Sequence, residues 1–175
     1  MTPLIKGLII AALHVGLVAS LGAKLLYDRA TRPRVWALTA PYDPNLPIRG
    51  RYVSLQLVVE PRGITDTKPG TAWGPPQAVI LRIEREKLVA EAMPRQPIYD
   101  PSELHVQLVN RFGEKLALLD RPIAFFIPEH IADPSRRPSG ESLWVEVTIL
   151  KKGPPRPIRL AVKKGDGAIT PLDLN

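Results

Sequence analysis

The sequence predicts an all-β domain, a sandwich or barrel-like body of about nine short antiparallel strands, carried behind one N-terminal transmembrane helix. Three observations lead there. The stretch from Gly7 to Ala23, GLIIAALHVGLVASLGA, holds no charged residue and is bracketed by Lys6 and Lys24. Beyond Arg34 the apolar residues recur with period two, the period of side chains on a strand, and not 3.6. The 20 prolines among 175 residues are about twice the usual share and are spread along the chain, where they punctuate strands and loops.

With Leu25 and Leu26 the apolar run reaches about 20 residues, roughly 30 Å of helix, enough to cross bilayer hydrocarbon. Ser20-Leu21-Gly22 imitates the small-x-small cleavage site of a signal peptide, but the run is longer than a signal core and continues through Tyr27. The expected element is therefore an uncleaved signal anchor with a basic juxtamembrane segment, residues 1–34, ahead of a β domain at 35–175. His14 falls in the middle of the span. An imidazole there serves a proton or partner site, or is a neutral group bonded to a neighbouring helix; the second is the expected reading.

Residues 1–34 carry +4 of the net charge of +7, which suits a segment flanking anionic headgroups. The rest is mixed in sign, so no nucleic-acid partner is expected. Basic residues are more numerous after the helix than before it, which by a literal positive-inside count places the body in the cytoplasm. A long following domain weakens that count, and an extracytoplasmic body is expected. The absence of cysteine excludes disulfides, thiolate metal sites, a cysteine nucleophile and a lipidated cysteine.

The strands follow in order. Val35 to Thr39 is a short candidate. Arg51 to Val59 sets Val53, Leu55, Leu57 and Val59 on one face, with Tyr52, Ser54 and Gln56 on the other. Val79, Leu81 and Ile83 alternate with Ile80, Arg82 and Glu84, and Arg85-Glu86-Lys87 turns the chain into Lys87 to Ala92. Leu104 to Val109 and Lys115 to Leu119 flank NRFGE, a hairpin loop with Gly113 free to take positive φ. Within the first of these strands, His105 is expected to be exposed or half-buried. Ile123 to Ile127 is an apolar run, Leu143 to Leu150 alternates, and GPP and GDG set off Ile158 to Lys163 and Ala168 to Leu172. The long loops, Pro61 to Gln77 and Pro128 to Glu141, are expected to be functional or mobile.

DPNLPIRGRYVSLQL, Asp43 to Leu57, enters the first long strand. Its prolines hold the preceding residues extended, and Gly50 supplies a position without Cβ constraint just before the strand. The same stretch resembles the signature of the GDYXXLXY family of small membrane-anchored bacterial proteins: Asp43, Pro44, Gly50, Tyr52 and Leu55 match it, while Arg51 and Leu57 replace the family's aspartate and tyrosine. AFFIPEHIADPSRRPSGESLWVEV, Ala124 to Val147, is similar to the family's phenylalanine-rich segment with a glutamate, here Glu129, followed by Gly140-Glu141. The resemblance implies a bacterial inner-membrane location, often beside a multi-pass membrane partner, and no established activity. Arg51 in place of the aspartate removes any metal or proton chemistry from that position. Gly50, Tyr52 and Leu55 are left with structural roles.

Glu129, His130 and Asp133 form the one cluster mixing histidine with carboxylates. They would serve an envelope hydrolase or metal-dependent enzyme as ligands, or as a base with its orienting acid. A second nearby histidine and the H-E-x-x-H spacing are both lacking, so a solvated loop is the expected reading. No serine lies in a G-x-S-x-G elbow, and PGTAWGPP is not a phosphate-cradling loop. Trp73 within it is equally a recognition element and a lid folded over the sheet. The expected function is a non-catalytic binding or accessory module, without cofactor or metal, that contacts a membrane protein partner and offers Trp73, Glu129, His130 and Glu141 as its surface. The alternative is the enzyme centred on Glu129, His130 and Asp133.

Overall fold

The structure, a computed structural model, describes residues 2–41, 52–64, 76–94, 103–111, 114–150 and 153–174. The chain divides into two units, Met1–Arg32 and Pro33–Asn175.

The first unit is one helix, α1 (Pro3–Thr31). Proline at the first turn costs no hydrogen bond because those N–H groups have no intrahelical partner. At the other end Arg32 takes extended dihedrals before Pro33, and its guanidinium meets Asp28 Oδ2 at 2.8 Å one turn back. Residues Pro3 to Asp28, in which an 18-residue stretch has mean hydropathy 2.1, are long and apolar enough to cross a membrane, at about 39 Å for 26 residues.

The second unit holds ten strands among the described residues: β1 (Arg34–Pro41), β2 (Tyr52–Arg62), β3 (Gln77–Glu84), β4 (Lys87–Ala92), β5 (Leu104–Arg111), β6 (Glu114–Leu119), β7 (Ile123–Phe126), β8 (Glu141–Thr148), β9 (Arg156–Lys164) and β10 (Ile169–Pro171). β2 organises them. Its first half pairs with β7 from Tyr52 to Leu55 and with β1 from Leu55 to Leu57. Its second half pairs with β6 at Val58 and Val59, then with β4 from Glu60 to Arg62. Since β4 pairs with β3, β3 with β5 and β5 with β6, the ring β2-β4-β3-β5-β6 closes on itself as a five-stranded barrel. On the other side β1, β8, β9 and β10 extend the sheet, and β7 lies beside β9.

Alternation along β2 drives this arrangement. Val53, Leu55, Leu57 and Val59 are buried in a single core with Val35, Ala37, Val106, Leu119, Val145 and Leu160, among others. Each fully buried aliphatic side chain contributes about 1.5–3 kcal/mol relative to exposure, so the inward row of β2 is a main source of stability.

Several sequence expectations are refined. The β2–β4 pair is parallel, because β4 reaches β2 only after the β3–β4 hairpin has reversed the chain. β2 runs past Val59 through Pro61, where the β6 ladder has already ended, so the missing proline N–H breaks no bond on that side. β9 likewise starts at Arg156, and Pro157 sits at a register shift opposite Val147, a bulge that tolerates it. His105 is a correction: it is only 4% exposed. Its strand is covered on both faces there, and Asp120, just past β6, supplies the polar environment. Asp120 Oδ1 accepts from the His105 N–H at 3.1 Å, its own N–H donates to the His105 carbonyl at 2.8 Å, and Oδ2 lies 3.6 Å from Nδ1.

Candidate functional site

β2 and β7 bring together the two segments that the sequence singles out. Tyr52 stands opposite Phe126 and Leu55 opposite Ile123. Opposed residues of an antiparallel pair point to the same side, so this register fixes what each does. Leu55 and Ile123 enter the core; Leu55 is fully buried. Tyr52 and Phe126 face outward with ring centroids 6.2 Å apart and planes tilted by 59°, within the favoured range for aromatic pairs. Tyr52 is half-buried and Phe126 is 76% exposed. Among the described residues of the β unit, the only other large apolar side chain that is exposed is Ile80, at 46%, on the barrel half.

The segment that leaves β7 is fastened at three points. Ile127 is buried, Pro134 is fully buried, and Glu141 is held by Lys164 Nζ at 3.0 Å and Arg137 Nη1 at 3.7 Å. Between the first two fasteners Glu129 and His130 form an exposed turn directly after Phe126, braced by the Ile131 N–H donating to the Pro128 carbonyl at 3.2 Å. Asp133 is occupied locally: Oδ1 accepts from the Ser135 N–H at 2.9 Å and from its hydroxyl at 2.7 Å, an Asx turn. Among the described residues no group of three or more His, Asp or Glu side chains could hold a metal ion. Asp43, Pro44, Gly50 and Trp73, together with Arg51 and Gly113, lie outside the described residues.

A second feature escaped sequence reasoning. On the outward face of β1, β8 and β9, Arg159 Nε donates to Glu146 Oε2 at 2.7 Å, with its guanidinium 5.3 Å from the centre of the Trp36 ring. Lys163 Nζ lies 5.9 Å from the Trp144 ring, whose indole N–H donates to Ser142 Oγ at 3.0 Å. Lys163 caps Trp144 from the next strand, and Arg159 reaches Trp36 past Glu146 of the intervening β8. The alternation of ESLWVEVT announces an outward Trp144 and Glu146, but the partners come from β9 in a register that no local pattern reveals.

What the first arrangement can do is present apolar surface. An exposed phenylalanine supported by a tyrosine, beside a short turn bearing a carboxylate and an imidazole, sets an apolar centre next to polar groups, a composition that suits contact with another surface. Comparison with protein-family models, with curated proteins and with solved structures finds no match to this chain.

Proposed function

We propose that the protein is a non-catalytic binding module, tethered by α1 to the bacterial inner membrane, with its β unit on the extracytoplasmic side, where it contacts a multi-pass membrane protein. The observation that carries this reading is Phe126, 76% exposed, while among the described residues of the β unit nearly all other large apolar side chains are covered. Leaving such a ring in water wins nothing for folding; covering it on a partner does, and aromatic side chains are enriched at interface centres. Glu129 and His130, at the adjacent turn, supply the rim. The segment that resembles the GDYXXLXY signature and the segment similar to that family's phenylalanine-rich stretch meet at Tyr52 and Phe126, which supports kinship to that family and gives the resemblance a physical meaning: a buried half that builds the sheet and an outward half available to a partner.

The test is a photoreactive residue placed at position 126 of the full-length protein in native membranes, with position 80 as control. A dominant adduct to one membrane protein from position 126, several-fold weaker from position 80, is expected. Equal yields from both positions, or no protein adduct, would overturn the reading. Orientation is checked with a C-terminal alkaline phosphatase fusion, expected to be active; a bright fluorescent-protein fusion at the same site with inactive phosphatase contradicts it.

A further inference from the structure

The imidazole of His14 is bound to its own helix on one side only. His14 Nδ1 lies 2.8 Å from the Ile10 carbonyl oxygen, which only accepts, so Nδ1 carries the proton and donates. With that proton on Nδ1, Nε2 is left as a bare acceptor on an exposed side chain. His14 sits within about 2 Å of the midpoint of the Pro3 to Asp28 span at 1.5 Å per residue, where water does not supply a donor. Gly7, Ile10, His14, Leu17 and Leu21 repeat at alternating spacings of three and four, a seam along one face with the histidine at its centre.

We propose that this seam packs against a transmembrane helix of a different chain, and that His14 Nε2 accepts a hydrogen bond from an O–H or N–H side chain of that helix. The proposal rests on the reading of α1 as a membrane span and names the chemistry of the partner at that depth. A second copy of this chain does not fit. Two copies inserted alike run parallel and set one Nε2 lone pair against another. The other polar side chain between Gly7 and Ala23, Ser20, already spends its hydroxyl proton on the Leu17 carbonyl at 2.8 Å. A different helix bearing serine, threonine, tyrosine, tryptophan, asparagine or glutamine at that depth completes the bond.

The experiment places a photoreactive residue at Leu17, in the seam, or at Leu8, on the opposite face, of the full-length protein in native membranes, and sequences the crosslinked peptide. The expected result is an adduct from position 17 to another membrane protein, much weaker from position 8, whose crosslinked segment carries a donor side chain within one turn. His14→Phe, which keeps the ring and removes the acceptor, lowers the yield about three- to twentyfold, the range expected for one interhelical hydrogen bond. His14→Gln, which retains an acceptor oxygen, restores most of it. An adduct to a second copy, equal yields from the two faces, a segment without a donor, or a His14→Phe yield equal to wild type overturns the proposal. If position 126 captures a partner and position 17 does not, the seam is wrong while the binding module stands; loss of the helix by cleavage near Gly22 removes both.

Discussion

Leu55 and Phe126 belong to neighbouring paired strands and face opposite sides of the β2–β7 pair: Leu55 enters the core, and Phe126 stands exposed on the side proposed to meet a partner. Leu55 is fully buried among the core residues, so Leu55→Ala is expected to cost about 2–5 kcal/mol through lost transfer energy and the cavity left behind. Phe126→Ala removes a ring that stands mostly in water and is expected to cost under about 1 kcal/mol. Urea denaturation of the full chain in detergent distinguishes them, and the reverse order would contradict the assignment of the two faces. The Glu146–Arg159 pair behaves differently again. The Glu146 side chain is 9% exposed while that of Arg159 is 53% exposed, so Arg159→Ala leaves a largely buried carboxylate without its charged partner and uncovers Trp36. A loss of about 1–2 kcal/mol is expected, with part of it recovered by adding Glu146→Leu, because the unpaired buried charge is the expensive state. If the double variant is less stable than the single one, packing and not charge governs the site.

At the scale of elements, the β3–β4 hairpin shows what its sequence leaves unoptimised. The connection is two residues, Arg85 and Glu86, both at positive φ, 48° and 63°, where side-chain-bearing residues are strained and asparagine or glycine is favoured. Arg85→Asn with Glu86→Gly is expected to raise stability by about 0.5–1.5 kcal/mol, read as a higher thermal midpoint. Most strands were legible because alternation assigns each residue a face: the inward row of β2, Val53 to Val59, reads directly from the sequence. Closure was not legible. Alternation says which side of a strand is buried but not which strand lies beside it, and the β2–β6 and β2–β4 ladders join segments far apart in the chain. His105 shows the same limit from inside a strand, since its burial depends on what covers the outer face of β5. Tyr52 stood out in the sequence, whereas Phe126 lay unmarked within the apolar run Ile123 to Ile127, and their meeting depended on a register fixed only by the fold.

For the whole molecule, a β body with a single buried core is proposed to remain attached to a membrane through α1. The body's inward rows make one core, and the helix presents an apolar surface that has no role in water. A signal peptide would share the apolar run, and the two differ in what the mature chain retains. Membranes from cells expressing the full chain, washed at high pH to strip peripheral proteins, followed by intact-mass determination of what stays behind, decide between them. The expected result is the β unit in the washed membrane with residues 3–31 still attached. A soluble protein whose mass begins just after Gly22 would contradict the tether, and with it the membrane partner.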